Sequence, residues 1–80
     1  MREEALAILN NPVRCLPLLF TVYGMDTDEQ ISDWLAASLG DEAEMLVKKL
    51  LIDGFYHSSA PDLREFAIRK VMEVTPDESR

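Results

Sequence analysis

Three groups of residues have the side-chain types that chemistry requires. His57-Ser58-Ser59 offers an imidazole and two hydroxyls, Arg14-Cys15 a thiol beside a cation, and Asp26, Asp28 and Glu29 a set of carboxylates. None of the three makes a complete site. A nucleophile and its base must converge in space, and two serines beside the sole histidine in sequence are not a triad. A nearby guanidinium favours thiolate, but in an apolar run a cysteine normally packs as a small hydrophobe. The carboxylates lack the glycine and spacing of a calcium loop and stand before a helix start. The three glycines, Gly24, Gly40 and Gly54, fall at expected helix ends, so no phosphate loop is available. No catalytic residue, metal ligand or cofactor is assigned, and an enzyme is the least favoured class.

Charge points elsewhere. Fifteen Asp and Glu against eight Lys and Arg leave a formal charge of −7, which disfavours nucleic acid as an electrostatic partner of the whole domain. One cysteine cannot staple the fold and fits a reducing compartment. No run approaches the length of a membrane span, and Met1-Arg-Glu-Glu does not open like a secretion signal. The expectation is a soluble cytoplasmic protein without a membrane partner. Eighty residues make one domain, residues 1–80, and 48% apolar content exceeds what one small core hides, leaving some for a partner or homodimer contact.

The expected fold is all-α, or mainly α with a very short β element. Its centre is a helix over residues 41–53, where Ala43, Leu46, Val47, Leu50 and Leu51 share one face and Met45 and Ile52 widen it. Glu44, Lys48 and Lys49 form a thin solvated strip, with Glu44 and Lys48 at ion-pair spacing. Asp41 is the N-cap and Gly54 the left-handed stop. Before it, residues 2–9 read as a short amphipathic helix carrying Ala5, Ile8 and Leu9 inward. Pro17 then either begins the next helix or kinks it, and the favoured choice is a turn over 10–16 and a buried helix over 17–23. Thr27 and Gln30 form a capping box for a helix over 28–39, with Ile31, Trp34, Leu35 and Leu39 facing the core. Phe55 to Ser59 read as a short extended stretch. Asp62 caps a last helix with Leu63, Phe66, Ala67, Val71 and Val74 on one face, the alternative being a hairpin returning through 63–68. Thr75-Pro76 ends it, and residues 76–80 are expected to fray.

Helices 28–39 and 42–53 followed by Gly54-Phe55-Tyr56 resemble a helix-turn-helix leading into a wing, as in ArsR- or MarR-type winged-helix repressors. Leu9-Asn10-Asn11-Pro12-Val13-Arg14 resembles the Asn-Pro-Val-Arg opening of the first family. Leu35 to Gly40 and Leu46 to Phe55 sit where the positioning and recognition helices end. The resemblance covers residues 9–56 and implies a dimeric DNA-binding regulator. Such a dimer would gather Arg14, Lys48, Lys49, Arg64, Arg69 and Lys70 on one surface, with Lys48, Lys49, Arg64 and Arg69 as DNA contacts. The recognition helix, however, would open on Asp41, Glu42 and Glu44, where a groove-reading helix carries basic or neutral polar residues.

The function that fits the charge is a non-enzymatic binding protein, a small regulator or inhibitor whose anionic face meets a basic protein surface. Asp28, Glu29, Asp33, Asp41, Glu42 and Glu44 are the candidate acidic face, and Met45, Ile52, Tyr56 and Met72 the candidate apolar contacts. Carboxylates at helix starts also serve the macrodipole without any partner.

Overall fold

The computed structural model describes residues 1–76 and shows five helices and, among those residues, no strand. They are α1 (Arg2–Leu9), α2 (Pro12–Gly24), α3 (Asp28–Ala36), α4 (Glu42–His57) and α5 (Leu63–Val74). As its all-round apolar pattern requires, α4 packs against all four others, whereas α3 touches α4 alone. The core draws Ile8 and Leu9 from α1, Cys15 and Val22 from α2, Val47 and Leu51 from α4, and Val71 from α5, all at most 1% exposed. No single helix among the described residues is long and apolar enough to cross a membrane.

The caps explain the starts. Asn11 turns the chain 81° between α1 and α2, and its Oδ1 accepts from the Val13 amide at 3.1 Å, with Pro12 at the first helical position. Thr27 and Gln30 close a reciprocal capping box on α3, while Asp41 and Asp62 accept from the Glu44 and Glu65 amides. The helix over 63–74 forms as expected, not the hairpin, and stops at Thr75 before Pro76. Of the expected frayed tail, residues 77–80 lie outside the described residues.

Four local expectations are corrected. α2 begins at Pro12, not after a turn, and continues unbroken past Pro17. The amide that Pro17 lacks would have met the Val13 carbonyl, at a residue 82% exposed where water can serve instead. Nor is this helix buried all round: only Cys15 and Val22 are fully buried, and Leu18 and Leu19 are half-buried against the core. α3 stops at Ala36, and Leu39 leaves the core altogether: it is 91% exposed with φ +53°, followed by Gly40 at φ +83°. Finally, Gly54 does not end α4, and Phe55, Tyr56 and His57 are its last turn instead of an extended stretch. Gly54 is buried mid-helix, where a Cβ would stand 2.5 Å from Leu63 Cδ1 and 2.6 Å from Phe66 Cδ1. Glycine is there for the close approach of α5 to α4, not for a left-handed bend.

Candidate functional site

The cations settle into place first, and most of them hold the fold. α1, α3 and α5 end without a basic residue in their last turns, so their final carbonyls need donors from elsewhere. Lys48, from α4, is only 4% exposed and donates to the Trp34 carbonyl of α3 at 2.8 Å, with its ammonium 5.0 Å from the Trp34 ring centroid. Glu44 Oε2 lies 3.7 Å away, the expected i, i+4 pair. Arg64, from α5, donates to the Leu9 carbonyl at 2.7 Å and to Asn10 Oδ1 at 2.8 Å, closing α1. Arg2 donates to the Met72 and Thr75 carbonyls and to Thr75 Oγ1, closing α5. Each of these three helix ends is therefore capped by a cation from another helix. Lys48 does not lie on a solvated strip; its head is drawn inward by an orphan carbonyl and an aromatic face.

Of the four candidate DNA contacts, Lys48 is thus buried, and Arg64 is committed to α1. Arg69 pairs with Glu65 at 2.8 Å on the surface of α5, and Lys49 is exposed on α4.

The six candidate acids do not form one face. α3 runs antiparallel to α4, because Trp34 meets Lys48 while Asp28 and Ile31 lie beside Ile52 and Tyr56. Asp28 and Glu29 consequently sit by the C-terminal end of α4, and Asp41 and Glu42 at its opposite end. Asp33 is exposed on α3, and Glu44 turns back to Lys48. The Asp41 end borders an open cleft of about 650 Å³ with Met1, Glu4, Ile8 and Arg14 around it.

The other end gathers more of the expected residues. A cleft of about 320 Å³ between α3 and α4 is walled by Asp26, Asp28, Ile31, Ile52, Tyr56 and His57. Tyr56 donates its hydroxyl to the Met25 carbonyl, which pins the turn bearing Asp26 onto α4. Phe55 packs edge-on against Tyr56 at 4.9 Å and Tyr23 at 5.3 Å between centroids, so an aromatic cluster backs the cleft. Two of the four candidate apolar contacts, Ile52 and Tyr56, meet here. Met45 is half-buried nearer the start of α4, and Met72 is exposed at the far end of α5.

The two chemical candidates lie in different settings. Cys15 is 1% exposed, and burial pushes its thiol above the ordinary value, with Arg64 pulling it down and Asp62 up. Arg14 is not the cation that faces it. His57 ends α4 at the cleft rim, exposed. Among the described residues no three His, Cys, Asp or Glu side chains converge to hold a metal.

Two features escaped the sequence. One is the capping work of Arg2, Lys48 and Arg64, whose signal was the lack of a basic residue in the last turns of α1, α3 and α5, a lack that α2 shares. The other is the outer side of α2, where Val13, Leu16, Phe20 and Tyr23 are 82, 48, 71 and 55% exposed. Their 3-4-3 spacing was visible, but an apolar run around Pro17 read as wholly buried.

No protein-family model, characterised protein or solved structure matches this chain.

Proposed function

We propose that this chain is a non-enzymatic binding protein that acts through protein–protein contacts, as a small regulator or inhibitor. The observation that carries this is the α3–α4 cleft, where the carboxylates of Asp26 and Asp28 rim an apolar wall of Ile31, Ile52 and Tyr56. Such a surface suits a partner's lysine or arginine. The aliphatic stem lies along the isoleucines, while the charged head meets the carboxylates. Tyr56 is the anchor, since aromatic residues in partly desolvated centres dominate binding energy. The acids at the Asp41 end supply longer-range attraction for a basic partner, not direct contact at this cleft.

DNA binding by a winged-helix dimer is the alternative class. Against it stand the burial of Lys48 and the engagement of Arg64 and Arg69, which leave Lys49 as the one uncommitted residue of the four candidate DNA contacts.

A panel of synthetic peptides carrying Lys or Arg beside Leu, with acidic scrambles as controls, tests the proposal by fluorescence anisotropy. Basic peptides should bind, weaken as salt rises, and lose about tenfold in affinity in Asp26→Asn/Asp28→Asn, each lost charge contact being worth roughly 0.5–1 kcal/mol. Equal binding of the acidic scrambles, or no change in the double variant, would sink the cleft as the docking site.

A further inference from the structure

The outer side of α2 is a second exposed surface, which reaches the aromatic cluster behind the cleft only through Tyr23. Val13, Leu16, Phe20 and Tyr23 form an exposed apolar stripe, and the neighbouring Pro17 and Gly24 are exposed and uncharged. From the exposures, the stripe presents roughly 500 Å² of apolar surface, taking a whole aromatic side chain as about 200 Å². Two such surfaces give about 1,000 Å² in total, the lower bound for a specific interface.

Its charge selects the occupant. All fifteen acidic residues of the chain lie outside residues 5–25, although the net charge is −7. α2 is the one helix without a carboxylate, and Arg14 is its single charge. A second copy, equally acidic, meets no carboxylate on this helix to repel it.

The stripe is also self-complementary. Laid antiparallel about a two-fold axis near Leu18, it sets Val13 against Tyr23 of the second copy and Leu16 against Phe20, so each aromatic meets an aliphatic side chain. In the same arrangement the two helix dipoles oppose favourably. We infer that α2 is a homodimer interface, with two copies packed antiparallel through Val13, Leu16, Phe20 and Tyr23.

Sedimentation velocity from about 10 μM to 1 mM, a range that reports weak association, provides the test on the full chain. The expected result is a concentration-dependent dimer for the native chain and at least a tenfold weaker one for Phe20→Glu. Because Phe20 is 71% exposed, that variant should keep the native circular dichroism and melting temperature. Disulfide trapping then reads the register: Val13→Cys mixed with Tyr23→Cys should cross-link, and Val13→Cys alone should not. A monomer throughout the range overturns the inference. So does a dimer indifferent to Phe20→Glu, a Val13→Cys homodimer, or a monomer that instead co-sediments with phosphatidylcholine vesicles. Phe20→Glu and Val13→Cys alter no residue that lines or backs the cleft, so peptide binding by those two variants reads the cleft independently.

Discussion

The ammonium of Lys48 donates to the main-chain carbonyl of Trp34 at 2.8 Å and lies over the same residue's indole ring. This one side chain ends α3 and attaches it to α4, which is the only helix α3 touches. None of the residues of α3 is fully buried, so α3 depends on such a contact more than its neighbours do.

Replacing Lys48 with Met should therefore cost about 1.5–3 kcal/mol, the usual range for a hydrogen bond from a charged donor, and should loosen α3 before the rest. Hydrogen exchange would show faster amides in residues 31–36, and the fluorescence of Trp34, the sole tryptophan, would move towards that of solvent-exposed indole. Lys49→Met, on the exposed side, should stay within about 0.5 kcal/mol of native. Equal effects of the two substitutions would show that Lys48 does not hold α3.

The two helical glycines should respond with opposite sign. Gly54→Ala drives a methyl into Leu63 and the stiff ring of Phe66, and overpacking of about 1–3 kcal/mol outweighs a helix-propensity gain of about 1 kcal/mol. A Cβ on Gly24 meets nothing within 4 Å, so Gly24→Ala should raise the melting temperature modestly. Chemical denaturation of both variants decides it; a stabilising Gly54→Ala would mean that α4 and α5 are less closely packed than described.

Leu39 holds a left-handed backbone that costs an L-residue about 1–2 kcal/mol, and its side chain is 91% exposed with little contact to repay it. Leu39→Gly should stabilise the fold by about 0.5–1 kcal/mol. Loss of stability instead would reveal a contact made by that leucine.

Cys15 gives a pH dependence of known sign. Its folded pKa is raised, mainly by burial, so the unfolded chain ionises first as pH climbs. The thiol has no effect below the unfolded pKa, and its contribution turns unfavourable as pH rises from there towards the folded pKa. Cys15→Ala should lower stability near neutrality by about 1 kcal/mol through lost packing yet flatten the alkaline decline. Native Cys15 should react with thiol reagents only as fast as the fold opens. Rapid reaction in native buffer would contradict its burial.

Much of the fold was legible because it rests on local signals. Thr27, Asp41 and Asp62 announce helix starts through side-chain oxygens, whereas the same signal at Asn11 was read as part of a turn, and the stripe of α4 announces its central place. The misread positions were those where one residue type serves two ends. Gly54 as a stop and Gly54 as a close-contact residue look alike until α5 is placed beside it. Pro17 can break a helix, but solvent at Val13 lets it pass. Of the candidate site, Asp28, Ile52 and Tyr56 were legible individually, while their meeting in one cleft depends on the antiparallel run of α3 against α4. Local spacing could not supply that, nor separate Asp41 and Glu42 from Asp28 and Glu29.

The measurement that bears most directly on the central claim is a titration of the ¹⁵N-labelled chain with a Lys- and Leu-containing peptide, followed residue by residue. Shifts should concentrate on Asp26, Asp28, Ile31, Ile52, Tyr56 and His57 and fade as salt is raised. Shifts confined to another surface, or a response of Lys49, Arg64 and Arg69 to random duplex DNA with none to the peptide, would contradict a protein-docking cleft between α3 and α4.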